Sequence, residues 1–133
     1  MKLSRKTDYG IIFLKSLSPT FKSGEFFSTS KVAKENNLPQ SFMEKLAETL
    51  RKKGFIEAKR GLTGGYRLLK DPRRINLQEM VEVFEEKPFM RCLRSSDPEK
   101  HCPLVKICPA HKTWVAVHEK TKNIFRGITL AKL

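Results

Sequence analysis

The segment LPQSFMEKLAETLRKKGFIEAKRGLTGGYRLL, residues 38–69, constrains this chain more than any other. Phe42, Met43, Leu46, Ala47 and Leu50 recur at helical spacing, which predicts a helix over about 40–53 with those side chains buried. Gln40, Ser41, Glu44, Lys45, Glu48 and Arg51 then point away from the core. Pro39 suits the helix start and Gly54 its end, and Arg51, Lys52 and Lys53 favour the negative pole there. Just upstream, FFSTSKVAKENN predicts a shorter helix capped by Ser28 or Ser30, with Val32 and Ala33 as its small apolar face. Asn36 and Asn37 tolerate the left-handed turn between the two. Downstream, Phe55, Ile56 and Ala58 form one strand of a hairpin and Tyr66, Leu68 and Leu69 the other. RGLTGG turns between them because Gly61, Gly64 and Gly65 are free to take positive φ. Two helices, a tight turn and a glycine-rich hairpin edged by Lys59, Arg60 and Arg67 outline a winged helix-turn-helix. Arginine on so thin a hairpin reaches a minor groove or a phosphate row.

The flanks extend this into a mainly α fold with one small β-hairpin. A first helix is expected over 6–17, with Tyr9, Ile12, Phe13 and Leu17 on its apolar face, before SPTFKSGE breaks it. Another is expected over 77–86, capped by Asn76, with Glu79 in its early turns and Pro88 as its stop. Residues 88–110 show no periodicity. In a last helix over about 112–127, Trp114, Val117, Thr121, Ile124 and Ile128 alternate by three and four, the pattern of a coiled-coil seam. Such a seam packs on a second copy of the chain or on the first helix. The expected organisation is a winged helix-turn-helix domain over 1–87, a cysteine-rich loop over 88–111, and a dimerisation helix with tail over 112–133.

Charge points to the partner. Of 133 residues, 27 are Lys or Arg and 14 Asp or Glu, a net charge of +13. Residues 1–70 hold 15 basic and 6 acidic side chains, whereas residues 71–133 hold 12 and 8. A positive field concentrated on the helix-turn-helix half favours a polyanion, most simply double-stranded DNA. No apolar run is long enough to span a membrane. The opening MKLSRKTDYGIIFLKSL has a short apolar run broken by Lys15 and is not read as a signal peptide, so a cytoplasmic protein is expected. No nucleophile elbow, HExxH or phosphate-loop motif is present, and no enzyme is expected.

All three cysteines fall in one loop, MRCLRSSDPEKHCPLVKICPAH. Nine residues separate Cys92 from Cys102, five separate Cys102 from Cys108, and two separate Cys108 from His111. An odd number of thiols in a reducing compartment argues against a disulfide framework. Three thiolates and a histidine make a four-ligand set for tetrahedral zinc or for an iron–sulfur cluster. The spacing matches neither the usual zinc-finger nor the usual ferredoxin pattern. Structural zinc, cluster-free thiol sensing, an iron–sulfur electron carrier and a non-specific nucleic-acid scaffold remain alternatives at this point. An electron carrier has no use for a basic wing, and a scaffold would bind all duplexes alike.

Taken together, MKLSRKTDYG, LPQSFMEKLAETLRKKGFIEAKRGLTGGYRL, INLQEMVEVFEE, the three-cysteine loop and the closing ITLAKL resemble the IscR/NsrR-type winged-helix transcription regulators, the Rrf family. The resemblance covers nearly the whole chain, and RGLTGGYRL after a helix ending LRKKG is its most specific part. It implies a homodimer whose long C-terminal helices cross, binding an imperfect palindromic operator. It implies a cluster, 2Fe–2S or 4Fe–4S, held by Cys92, Cys102 and Cys108. The fourth ligand is His111 in the IscR pattern or Asp8 from the other subunit in the NsrR pattern, and this chain has both. The gap between Cys92 and Cys102 is wider than the family's pattern, which makes His101 a further candidate. Gln40, Ser41 and Glu44 match base-reading positions and Arg60 the wing arginine. Gln40 suits adenine and Glu44 accepts from cytosine. Lys45, Arg51 and Lys52 suit phosphates, as does Arg67 on the hairpin.

Overall fold

The computed structural model describes residues 2–88, 90–94 and 96–133. Six helices and one hairpin follow in the order α1 (Arg5–Leu17), α2 (Thr20–Ser23), α3 (Thr29–Asn36), α4 (Gln40–Lys52), β1 (Ile56–Lys59), β2 (Gly65–Leu68), α5 (Leu77–Phe84) and α6 (His111–Arg126). Short 3-10 turns lie at Pro72–Arg74, Arg91–Leu93, Pro98–Lys100 and Leu130–Lys132. The core joins Phe13, Leu14 and Leu17 of α1, Val32 and Ala33 of α3, and Met43, Leu46, Ala47 and Leu50 of α4. Phe55, Ile56 and Leu68 at the hairpin, Ile75, Met80 and Val83 in and before α5, and Leu130 near the C-terminus complete it.

Local chemistry accounts for the boundaries. Ser4 caps α1 by accepting from the Thr7 N–H, and Ser28 caps α3 by accepting from the Lys31 N–H. Asn37 closes α3 in the left-handed region at φ 52°. Asn76 and Glu79 form a reciprocal capping box at the start of α5, each side chain accepting from the other's backbone N–H at 3.0 Å. In the hairpin, antiparallel pairing runs from Ile56↔Leu68 at the base to Lys59↔Gly65 near the tip. Past the base, the Leu69 N–H donates to the Phe55 carbonyl at 3.0 Å.

Several elements depart from the sequence reading. The buried face of α1 is Thr7, Gly10, Phe13, Leu14 and Leu17, whereas Ile12 is 37% exposed and Tyr9 half-buried. Gly10 causes the rotation: with no side chain there, the Phe84 ring of α5 occupies the place a Cβ would take. The break SPTFKSGE contains α2, closed by Gly24 at φ 72° and docked by its Thr20 hydroxyl, which accepts from the Leu68 N–H. Ala58 is exposed, because β1 buries only its first residue. Helix α5 ends at Phe84 rather than near 86. Glu85 turns to extended backbone, and its carboxylate accepts from the Ser4 N–H at 2.6 Å and the Thr7 hydroxyl at 2.5 Å. Burial raises the Glu85 pKa, but those hydrogen bonds outweigh it and hold the carboxyl below its ordinary value. Ile128 lies beyond α6, in a segment that pairs with the start of α5 through Leu77 N–H to Ile128 O at 2.7 Å and the Asn76↔Thr129 bridge.

A methyl group at Gly10 would sit 2.1 Å from Phe84 Cε2. Gly10→Ala is expected to lower stability by about 1–3 kcal/mol through overpacking, read from urea melts. Adding Phe84→Leu should restore part of the loss, and equal melts for wild type and Gly10→Ala would show that the two helices separate freely.

Candidate nucleic-acid interface and cysteine pocket

The buried stripe of α4 leaves its opposite face in solvent. Gln40, Ser41, Glu44 and Lys45 are exposed on the first turns. Two of these side chains are held in place by α3. Gln40 Nε2 donates to Thr29 Oγ1 at 3.0 Å, and the same hydroxyl donates to Glu44 Oε1 at 2.5 Å. Thr29 is itself buried at the first position of α3, so this relay fixes both rotamers before any ligand arrives. Nothing in the sequence marks Thr29 for this role, because capping chemistry singles out Ser28 and Ser30 on either side.

A backbone bridge ties the wing to the same end of the pair. Phe27 N–H donates to Tyr66 O at 2.9 Å and Tyr66 N–H to Phe27 O at 2.8 Å. Gly65 permits it: its φ is 145°, and a Cβ there would meet the Phe27 carbonyl oxygen at 2.4 Å. The tip closes through Gly64 N–H to Gly61 O at 3.0 Å, and Arg60 and Leu62 are exposed on it. Wing tip, α3 start and α4 start therefore stand together.

The other sequence-predicted cations lie elsewhere. Arg51 and Lys52 close α4, about 16 Å along its axis from Gln40. Arg51 donates to Glu48 at 2.9 and 3.0 Å, which holds the Glu48 carboxyl below its ordinary value, and Lys52 is 3.6 Å from the same group. Arg67 pairs with Glu57, its cross-strand neighbour, and lies over the Phe26 ring at 5.3 Å. The Lys59 ammonium also faces Phe26, at 5.6 Å. Phe26 thus anchors two wing cations from outside the hairpin, and the paired FF before the α3 cap was the only sequence signal for it.

The cysteine loop builds a second site. Cys92 is buried in the Arg91–Leu93 turn. Cys102 follows the Pro98–Lys100 turn and donates its N–H to the Pro98 carbonyl at 2.9 Å. The Cys108 carbonyl accepts from the His111 N–H at 3.3 Å, where α6 begins. All three are free thiols. They line one pocket of about 340 Å³ with His111, Met90, Arg91, Val105 and Trp114. His111 Nδ1 is buried there with no hydrogen-bond partner among the described residues. A buried nitrogen without a partner, in a largely apolar pocket lined by three thiols, has the donor chemistry of a thiophilic, imidazole-binding metal group. The four side chains thus line one pocket, but among the described residues no group of three or more His, Cys, Asp or Glu stands close enough to hold a metal ion as the side chains lie. Asp8 stands on the exposed first turn of α1, and exposed His101 does not line the pocket.

Helix α6, which leads away from this pocket, has no buried residue in the described structure. Of the expected seam, Trp114 and Thr121 are half-buried, while Val117 is 40% and Ile124 64% exposed.

Comparison with known proteins places this architecture. The family model described as Rrf2, iron-dependent transcriptional regulator, matches residues 3–133. An HTH-type transcriptional regulator of Synechocystis sp. is 32% identical over the whole of this chain and 87% of its own length. The solved structure of T. potens IscR superposes with a TM-score of 0.75 at 26% identity, covering 99% of this chain and 85% of that one. CymR, the global cysteine regulator of B. subtilis, superposes with a TM-score of 0.76 at 25% identity, covering 99% and 95%. No helix among the described residues is long and apolar enough to cross a membrane. With a winged helix-turn-helix at one end, an unburied helix at the other and a family match spanning both, the chain belongs to the Rrf2 family of transcriptional regulators.

Proposed function

We propose that this regulator is a homodimer that reads an imperfect palindromic operator, and that an iron–sulfur cluster in the cysteine pocket sets its affinity or target choice. The observation that carries the DNA reading is the Phe27–Tyr66 bridge, which ties the Arg60-bearing wing to the start of α3, whose Thr29 in turn binds Gln40 and Glu44 of α4. In this reading α4 enters the major groove, and Gln40, Ser41 and Glu44 meet base edges in rotamers already set by Thr29. Arg60 reaches the adjacent minor groove or a phosphate. Lys45 neutralises phosphate beside the recognition turn, and Arg51, Lys52 and Arg67 supply weaker contacts because acidic neighbours already engage them. Two-fold symmetry of the dimer imposes the palindrome.

Cys92, Cys102 and Cys108 would hold the cluster, with His111 as fourth ligand through its unsatisfied Nδ1 and Asp8 of the partner subunit as the alternative. When bound, the cluster supplies a centre sensitive to oxygen, nitric oxide and iron supply. The chain's own contribution is mechanical. Cys108 and His111 sit where α6 starts, so engaging them orders the loop against that helix. Trp114, Val117, Thr121 and Ile124 of α6 meet their counterparts in the second subunit, with Ile128 just beyond the helix. The loop thereby adjusts the separation of the two recognition helices, and a coupling of about 1–3 kcal/mol alters occupancy 5- to 150-fold.

Three measurements test this reading. With an operator selected from random duplexes, Arg60→Ala is expected to weaken binding by about 1–3 kcal/mol and blunt sequence preference; equal affinity for all duplexes would overturn sequence-specific reading. Protein purified without oxygen should contain iron with matching sulfide, lost in Cys102→Ala. Zinc instead would make the loop a structural clasp, and no metal after reconstitution would leave thiol chemistry as the sensor. Ile124→Asp places a charge in the seam and should convert dimer to monomer in sedimentation, with operator affinity falling in step.

A further inference from the structure

The base of the hairpin carries a surface that operator binding does not use. Ile56↔Leu68 at the base and Lys59↔Gly65 at the tip are three residue steps apart, about 10 Å. Past the base, the chain forms an open cleft of about 870 Å³ lined by Phe21, Leu69, Lys70, Asp71, Arg73 and Arg74. It lies at the opposite end of the hairpin from Arg60, so on the DNA reading above, on which this inference rests, it faces away from the duplex.

Its chemistry is mixed in a specific way. Phe21 is 38% exposed and Leu69 44% exposed, held side by side because Thr20 of α2 accepts from the Leu68 N–H at 3.0 Å. Cations surround these two side chains. Lys70 and Arg74 are exposed on the lining, and exposed Lys22 is the chain neighbour of Phe21. Asp71 is the one acid of the lining, and Arg73 clasps it at 2.7 and 3.1 Å. That clasp keeps the Asp71 carboxyl ionised down to about 2, with Arg74 also acting on it through space, and a lining of three cations, Lys70, Arg73 and Arg74, against this one acid stays net positive.

We infer that this cleft docks an acidic, amphipathic peptide segment of a partner protein, its apolar side chains on Phe21 and Leu69 and its carboxylates on Lys70 and Arg74. A phosphate backbone offers nothing apolar to the two exposed side chains, whereas an acidic helix carrying Leu or Phe complements both parts of the cleft. The DNA-distal position leaves such a contact open while operator is bound.

The probe is a labelled synthetic helical peptide carrying Glu on one face and Leu and Phe on the other, titrated by fluorescence anisotropy against the full chain. Binding should weaken about tenfold in Lys70→Glu/Arg74→Glu, and comparably in Phe21→Ser/Leu69→Ser once a thermal melt shows that variant folded. The control Lys112→Glu/Lys120→Glu removes equal charge from α6 and should change binding less than about twofold. Duplex affinity should be unchanged in both cleft variants. The inference is overturned by absence of peptide binding, or by equal weakening in the α6 control, which would mean bulk charge attraction. It is also overturned if the cleft variants lose duplex affinity, which would assign the cleft to DNA, or change sedimentation, which would assign it to a second copy. Failure of the DNA reading registers separately, as an Arg60→Ala variant that binds duplex like wild type.

Discussion

The exposed face of α4, the proposed reading surface, depends on that helix being unable to rotate. Met43, Leu46, Ala47 and Leu50 are all at most 3% exposed, wedged among Phe13, Leu14 and Leu17 of α1 and Val32 and Ala33 of α3. Fully burying a Leu or Met stabilises by about 1.5–3 kcal/mol, so turning the helix by one residue forfeits several such contributions and carries polar side chains inward. A good base contact returns only about 1–3 kcal/mol. The packing term wins. On the proposed reading, the helix could not adjust its register to a wrong sequence, and selectivity would rest on whichever side chains the core leaves outward.

Rigidity of the helix alone would leave the wing free to swing. Two backbone hydrogen bonds between Phe27 and Tyr66 prevent that, and they exist because Gly65 lets the chains approach. Phe26 adds a ring beneath Lys59 and Arg67, and the Glu57–Arg67 pair locks the strands across their middle. Only the last few residues of the hairpin are left to adapt, which on the proposed DNA reading would keep the entropy lost on binding small.

Elements whose signal is local were legible in the sequence. The helices at 29–36 and 40–52, the left-handed Asn37, the capping box at Asn76 and the glycine-rich turn all follow from residues within a few positions of one another. Features decided by partners distant in the chain were not. Periodicity scores glycine as neutral, yet Gly10 is central to the buried face of α1 because Phe84 fills its place. Nothing near Glu85 signals that it leaves its helix to serve Ser4 and Thr7, or that Thr29 binds Gln40 and Glu44. The same division holds at the pocket. Gathering of the thiols is written in their spacing, but the burial of an unsatisfied His111 nitrogen beside them depends on how the loop folds over the start of α6.

Helix α6 has a consequence for the cell's dose of this protein. Helix α6, 16 residues long, fully buries no side chain and leaves Val117 and Ile124 exposed, and isolated helices of that length are marginal in water. If a second chain supplies the missing contacts, ordering of α6 is a mass-action event, more complete as protomer concentration rises. The cysteine pocket shares His111 and Trp114 with that helix, so its organisation would follow the same concentration dependence. Expression level would then act as an input alongside any chemical signal: at low copy number the pocket and the paired reading heads would be lost together, without any change in redox state.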